Sequence, residues 1–306
     1  MRLVTFTDSP TAPTAGEPPG PEAGRVGVVI PEAGTVRDLS GALPPGAGML
    51  DVIAGWAELR PVIEERLAGL PATPLADVVL LAPIPVPRRN VFCVGKNYRE
   101  HVAEFGASGY DTPERSLDVP DKPVVFSKAT TSVTGPAADI DPHHGVTGEL
   151  DYEGELGVII GPGGRGIGRE TALDHVWAYT IVNDVTARDL QRDHRQWLLG
   201  KSLDTHCPIG PYAVTADEIP DVTALEVRTR VNGELRQSAP VKDMVFDVAE
   251  LIATISAGIT LLPGDIIATG TPAGVGIGFD PPKFLVSGDV VEVSITGLGA
   301  LRNRVA

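Results

Sequence analysis

The chain has few cysteines, little positive charge and no long apolar run, and each shortage removes a class of protein. Two cysteines among 306 residues, Cys93 and Cys207, give no disulfide framework. Lys and Arg number 25 against 40 Asp and Glu, a net charge of −15. A surface that acidic repels nucleic acid and anionic lipid, so neither is expected as a partner. No apolar stretch reaches the roughly 18 residues that a membrane-spanning helix needs. Prolines and acids crowd the start of the chain, where a secretion signal would be basic and then apolar. A cytoplasmic location is therefore the expectation.

What is present describes a soluble globular protein with a sizeable core: 42% hydrophobic residues, 21% charged and a mean hydropathy of +0.08. The length suits one large domain, or a large domain with a smaller partner. The 35 glycines and 28 prolines are spread along the chain, which predicts many short strands joined by tight turns.

The first part is expected to hold strands at Arg2–Thr7 and Val26–Ile30 and a helical stretch over Met49–Leu67, split by Pro61. Leu81–Arg89 carries Pro83, Pro85 and Pro87 at alternate positions and reads as a stiff connector. The boundary set there leaves a small α+β unit at 1–83 and a larger unit at 84–306. In the larger unit, strands are expected at Asn90–Val94, Val124–Lys128, Tyr152–Ile160, Tyr179–Asn183, Glu226–Val231, Asp265–Thr269 and Val290–Ile295. Helices are expected at Tyr98–Phe105, Glu170–His175 and Val245–Ser256, and Ala107–Pro123 as a mobile loop. Asn232-Gly233 is a hairpin signal.

The clearest chemical signal is Asp151-Tyr152-Glu153-Gly154-Glu155-Leu156-Gly157-Val158-Ile159-Ile160. Side chains two apart on a strand share a face, so Glu153 and Glu155 point the same way. They repel each other on a strand that runs straight into a core. Alternating acids are common on solvated strand faces, so the pair alone decides nothing. Asp184, at the end of the apolar strand Tyr179-Thr180-Ile181-Val182-Asn183, supplies a third carboxylate. Three carboxylates without a His or Cys ligand cluster suit a hard cation, Mg²⁺ or Mn²⁺, and not zinc. His143-His144 lies in a Pro/Gly loop without ligand spacing.

Two motifs are decoys. Gly161-Pro162-Gly163-Gly164-Arg165-Gly166 matches a dinucleotide fingerprint but follows an acid-bearing strand, with no run of βαβ units around it. Gly200-Lys201-Ser202 resembles the end of a phosphate-binding loop, but Arg195 stands where that loop needs glycine.

Taken in order, several segments resemble the fumarylacetoacetate hydrolase family. They are Val94-Gly95-Lys96-Asn97-Tyr98 with His101 and Glu104; Phe126-Ser127-Lys128; the Asp151–Leu156 segment; Asn183-Asp184-Val185-Thr186-Ala187-Arg188-Asp189; Gly200-Lys201-Ser202; and Thr269-Gly270-Thr271-Pro272. The resemblance covers about two-thirds of the chain. It implies a predominantly β, α+β fold, a mixed β-sandwich or roll with few helices, and a homodimer. It also implies Mg²⁺ or Mn²⁺ on Glu153, Glu155 and Asp184, and a small anionic oxo acid as substrate. Family chemistry is C–C hydrolysis, decarboxylation or keto–enol isomerisation. The first 80 residues carry nothing over from it.

Roles follow for the remaining residues. His101 and Glu104, three apart on a helical turn, form a candidate dyad that activates water. Lys201, after an apolar stretch, orients substrate and balances developing negative charge. Arg188 and Gln191 lie within two helical turns of Asp184; Gln191 is placed on the substrate, and Arg188 on the substrate or as a brace. Thr271, in a Gly/Thr/Pro turn, is a candidate carboxylate binder, and Tyr98 and Lys128 are further substrate contacts. The favoured activity is metal-dependent hydrolysis of a C–C bond in an acylpyruvate-like β-diketo acid. Its rivals are an isomerase or decarboxylase of 2-oxo-diene-dioates or oxaloacetate in aromatic catabolism, and a non-catalytic metal-stabilised binding protein.

Overall fold

Apolar runs that end repeatedly at glycine or proline are too short for long helices, and strands dominate the molecule. The structure, a computed structural model, describes residues 1–8, 24–109, 119–136 and 138–306. The first part contributes β1 (Arg2–Thr7), β2 (Arg25–Ile30), β3 (Thr35–Asp38), α1 (Met49–Ala54), α2 (Trp56–Arg66), β4 (Ala72–Pro74) and β5 (Val79–Leu80). Then come β6 (Val91–Gly95), α3 (Arg99–Ala107), β7 (Val124–Lys128), β8 (Val133–Thr134), β9 (Leu150–Asp151), β10 (Gly154–Ile160), β11 (Val176–Asn183) and β12 (Thr186–Ala187). The last stretch holds α4 (Arg188–Asp193), α5 (Leu198–Lys201), β13 (Cys207–Thr215), β14 (Glu226–Val231), β15 (Glu234–Pro240), α6 (Val248–Ser256), β16 (Ile266–Ala268), β17 (Val290–Ile295) and β18 (Gly299–Arg304).

One sheet of 12 strands runs β4-β3-β2-β1-β13-β11-β10-β16-β6-β7, with β5 on β1 and β8 on β13. A second runs β15-β14-β17-β18, and β9 pairs with β12. Most pairings are antiparallel; β16 with β6 and β13 with β8 are parallel. This is the mixed, predominantly β architecture expected from the sequence. The strands of the first 80 residues join the main sheet directly, because β1 pairs with β13 through Arg2↔Val214 and Leu3↔Ala213.

β10 is the strand that organises the site. All seven of its residues are buried, because both faces of the sheet are covered there. Leu156, Val158 and Ile160 enter the core shared with the second sheet and α6. Ile159 enters the opposite core, with residues of α1 and α2. By the period of two, Glu155 stands on that opposite face. Gly154 lets the sheets meet: a Cβ there would lie 2.2 Å from Thr229 Oγ1 and 2.9 Å from Val293 Cγ1.

Several boundaries differ from expectation. The helical stretch over Met49–Leu67 breaks at Gly55 (φ −98°, ψ 19°), while Pro61 is carried inside α2 on an exposed position. Glycine leaves the helical conformation more readily than any other residue, and the ring of Pro61 has solvent to project into. The strand expected from Tyr152 begins at Gly154, so Glu153 sits just ahead of it. Arg169–His175 is a 3-10 helix with Ala172 its buried residue, so no apolar stripe favours α geometry. α6 starts at Val248 because Asp247 caps it, accepting from the Glu250 amide at 2.9 Å. Gly161–Gly166 is a turn joining antiparallel β10 and β11, which removes the dinucleotide reading. Asn232 and Gly233 both take positive φ, as the hairpin signal requires. The loop expected at Ala107–Pro123 lies largely outside the described residues.

Replacing Gly154 with alanine forces a methyl group into the Thr229–Val293 contact. The expected loss of stability is about 1–3 kcal/mol, the usual range for overpacking. Urea unfolding of the purified variant measures it; an unchanged midpoint would mean that the sheets yield at this point.

Candidate active site

The antiparallel register of β10 and β11 sets Gly154 opposite Asn183 and Glu155 opposite Val182. The Asp184 amide donates to the Glu153 carbonyl at 2.8 Å. That pairing gathers Glu153, Glu155 and Asp184, all buried, with one oxygen from each within 4.8 Å of the others. The three-carboxylate cluster inferred from strand periodicity is therefore present in space.

Three buried cations share the volume. Lys201, from α5, donates to Glu153 Oε2 at 2.9 Å and to Asp184 Oδ2 at 2.8 Å. Lys128, ending β7, donates to Asp184 Oδ1 at 2.6 Å and to the Val185 carbonyl at 2.9 Å. Arg188, opening α4, donates through Nε to Asp151 Oδ2 at 2.9 Å and through Nη1 to Gln191 Oε1 at 3.0 Å. Its Nη2 is ion-paired with Glu153 Oε1 at 2.7 Å.

The pairing is uneven. Asp151, Glu153, Glu155 and Asp184 face Lys128, Arg188 and Lys201, with Lys96 buried on the cleft beside them, so the numbers match but the pairing does not. Burial alone would raise the Glu153 carboxyl, but Lys201 and Arg188 hold it at about 2. Burial also opposes the charge on Lys201, and Asp184 and Glu153 override it, so its ammonium titrates above the ordinary lysine value. Glu155 has no such support. It accepts the Gly270 amide at 2.8 Å, and burial together with the charges of Asp184 and Glu153 pushes its carboxyl well above the usual range. A hard divalent cation held by Glu153, Glu155 and Asp184 would supply the partner that Glu155 lacks, so the donor set fits one.

The second feature is a dyad. His101 and Glu104 share one side of α3, with His101 Nδ1 3.2 Å from Glu104 Oε2. Glu104 is fixed from behind by the Gly274 amide, 2.9 Å from its Oε1. Phe105 packs with Val275 and Ile277, so the loop after Thr271 carries α3. His101, Glu153, Arg188, Gln191 and Lys201 line one cleft, which offers about 20 Å³, near the room of one water molecule.

Three candidate substrate contacts take other positions. Lys128 is fully buried behind Asp184 and spends its hydrogens on Asp184 and Val185, so it braces a carboxylate instead of facing the cleft. The Thr271 hydroxyl donates to the Gly154 carbonyl at 3.0 Å and accepts from Gln237 at 2.7 Å, which ties the turn to β10 and β15 and leaves no hydrogen for a substrate carboxylate. Tyr98 is buried beside the cleft wall, its backbone bridged to Met244 and its phenol without a hydrogen-bond partner among the described residues. Lys201 is buried as expected, although Leu198 and Leu199 before it are exposed.

Asp151 is the residue that sequence reasoning did not assign. Its carboxylate accepts from Arg188, from the Gly276 amide at 2.6 Å and from the Ile277 amide at 3.1 Å. It thereby joins the arginine beside Glu153 to the loop that carries α3. The available signal was its position two residues before Glu153, in the same alternating series of acids.

Comparison with known proteins gives a consistent picture. Residues 90–306 match the family model described as fumarylacetoacetate (FAA) hydrolase C-terminal. The chain is 53% identical over 231 residues to oxaloacetate tautomerase YisK of Bacillus subtilis, spanning 76% of this chain and 74% of that protein. Among solved structures it resembles a fumarylacetoacetate hydrolase from Exiguobacterium antarcticum, with 43% identity, a TM-score of 0.82, and coverage of 100% and 99% of the two chains. It also resembles maleylpyruvate hydrolase from Sphingobium sp. SYK-6, solved with manganese(II) and pyruvate, with 32% identity, a TM-score of 0.78, and coverage of 100% and 99%. No helix among the described residues is long and apolar enough to cross a membrane.

Two outcomes follow from the charge arrangement. In metal-free protein, Glu155→Gln removes a buried carboxyl whose ionisation burial and its acidic neighbours oppose, and raises the melting temperature by roughly a few degrees. The raised carboxyl of Glu155 gives stability that is complete below the ordinary carboxylate range and lost as pH climbs through its own value, so the gap between variant and wild type widens with pH. The same variant should lose most of the further stabilisation that Mg²⁺ or Mn²⁺ gives the wild type; an equal metal-induced shift in both proteins would place the cation elsewhere. Asp151→Asn strips Arg188 of a buried partner and is expected to cost about 3 kcal/mol in urea unfolding.

Proposed function

The chain belongs to the fumarylacetoacetate hydrolase family, and from that premise we propose that it interconverts the keto and enol forms of a short 2-oxo dicarboxylic acid of the oxaloacetate type, with Mg²⁺ or Mn²⁺ as cofactor. The observation that carries this reading is the meeting in one small cleft of a histidine base, two fixed cations and a metal-fitting carboxylate. The 53% identity to a protein named as an oxaloacetate tautomerase supports it. It ranks ahead of the C–C hydrolysis that the sequence alone favours.

A divalent cation on Glu153, Glu155 and Asp184 would supply Lewis acidity to a 2-oxo group and so acidify the neighbouring C–H bonds. The chain's own residues do the rest. Arg188 and Lys201 give the cleft the positive charge that an anionic substrate needs in a protein with a net charge of −15. Lys201 spends two ammonium hydrogens on Glu153 and Asp184 and can offer the third to oxygen as negative charge builds there. Held charged by those acids, it serves as a fixed cation and not as a proton donor. Gln191 gives its carbonyl oxygen to Arg188, which leaves its amide hydrogens to orient a carboxylate. His101 directs Nδ1–H at Glu104, so Nε2 is the basic nitrogen. It takes a proton from the carbon next to the 2-oxo group and returns it in the reverse direction, while the enol hydroxyl exchanges its proton with water.

Hydrolysis is the second reading, favoured by the same dyad: a histidine polarised by a carboxylate also suits activation of water, and the relative solved with manganese and pyruvate is a maleylpyruvate hydrolase. The working unit on either reading is a homodimer in which residues 1–83 extend the main sheet of the catalytic 84–306.

The test is loss of enol absorbance from oxaloacetate with Mg²⁺ or Mn²⁺, beside a cleavage assay on acylpyruvates. Tautomerisation should exceed the buffer rate and fall by about 100-fold or more in His101→Ala, while the metal-induced thermal shift persists. Cleavage of acylpyruvates with no acceleration of tautomerisation would reverse the ranking.

A further inference from the structure

The cleft has two kinds of lining. Its polar lining is Lys96, His101, Glu153, Arg188, Gln191 and Lys201, and its aromatic lining is Phe105, Phe126 and Trp197. Trp197 stands edge-on to both phenylalanines, with ring centroids 5.1 Å from Phe126 and 6.4 Å from Phe105. Its ring lies against the backbone of Gly95: a Cβ there would be 2.5 Å from Trp197 Cζ3 and 2.9 Å from Cη2. Any larger residue at the end of β6 would unseat the indole, so glycine and tryptophan form a matched pair.

Trp197 also belongs to the catalytic turn. It precedes α5, and its carbonyl accepts the Lys201 amide at 3.0 Å. Residues four apart on a helical turn share a side, and both side chains reach Phe126, the Lys201 ammonium lying 5.1 Å from that ring's centroid. Leu198 and Leu199, between them, are 47% and 51% exposed. One short turn therefore sends its leucines to solvent while placing the indole and the ammonium along the same cleft.

Building on the proposed function, we infer that Trp197, seated on Gly95, is the specificity-determining wall that limits this enzyme to short 2-oxo acids. The open room is about 20 Å³, so even a four-carbon diacid presses on the cleft lining as it enters. A substrate with a longer tail beyond the reacting carbons must displace the ring, and with it disturb the turn that carries Lys201. A wall of packed rings penalises added length through overpacking, a cost that grows with each carbon.

The experiment compares wild type, Trp197→Ala and the milder Trp197→Phe on the enol forms of oxaloacetate and of acylpyruvates with progressively longer acyl chains. Wild-type kcat/KM should fall as the chain lengthens. In Trp197→Ala, the ratio of long-chain to oxaloacetate kcat/KM should rise about tenfold or more, the size of discrimination that one or two methylenes carry in an apolar pocket. Trp197→Phe should lie between the two, and the gain should appear chiefly as a lower KM for the longer acids. A binding measurement reads the same wall without turnover. With Mg²⁺ present, long-chain 2-oxo acids should raise the melting temperature of Trp197→Ala but leave wild type little changed. Length ratios and thermal shifts that match wild type in both variants would overturn the assignment. Wild-type inactivity on every enol would instead overturn the proposed chemistry, while the thermal shifts still report on the wall.

Discussion

Four buried acids, of which all but Glu155 are ion-paired with a buried base, form the constraint around which the catalytic part is arranged. An isolated buried carboxylate is expensive, and two side by side are more so. The fold accepts the expense by surrounding Glu153 and Asp184 with Lys201, Lys128 and Arg188, each brought from a different element. Glu155 is left with a backbone amide for company. The unpaired carboxyl lies at the start of β10, where Glu153 lines the cleft and Glu155 is buried behind it.

The ties between elements explain why the dyad and the carboxylates act as one site although they lie on separate pieces of chain. Asp151 holds Arg188 and, with its remaining lone pairs, the amides of Gly276 and Ile277. The same loop fixes Glu104 through Gly274 and packs on Phe105. A displacement of the acids is thus felt at His101 through two hydrogen bonds and a small apolar cluster. Hydrolysis and tautomerisation both need a base held against a polarised carbonyl, so relatives bearing either name can share this framework. The difference between them lies in how much room remains for water.

The parts of the site that a sequence reveals are those governed by local periodicity. Glu153 and Glu155 stand out because strands repeat every two residues and acids interrupt an apolar run. His101 and Glu104 stand out because helices bring residues three apart together. The mixed β fold is legible for the same reason, from short apolar runs closed by Gly and Pro. Lys128, Thr271 and Tyr98 could be assigned to the neighbourhood, but not the partners that hold each of them. Their orientation depends on which strands pair, and that is set by contacts distant in sequence, such as Lys128 with Asp184 or Thr271 with Gln237. Trp197 is invisible to local pattern altogether, since its meaning comes from Gly95. The break at Gly55 shows a finer limit: a proline within a helix can be accommodated where its ring meets solvent, and a glycine nearby then marks the bend.

The pairing of β1 with β13 has a consequence for the birth of the protein. Arg2 lies opposite Val214, so β1 finds this neighbour only after more than 200 further residues have been made. At translation rates of roughly 5–20 residues per second, the wait is on the order of ten to forty seconds. Through that interval the β1–β2 ribbon leaves the Arg2–Leu3 part of its edge unpaired, because β5 covers only Phe6 and Thr7. The nascent chain therefore passes through a window in which a neighbouring chain on the same message, or a chaperone, can reach that edge before its own partner strand exists.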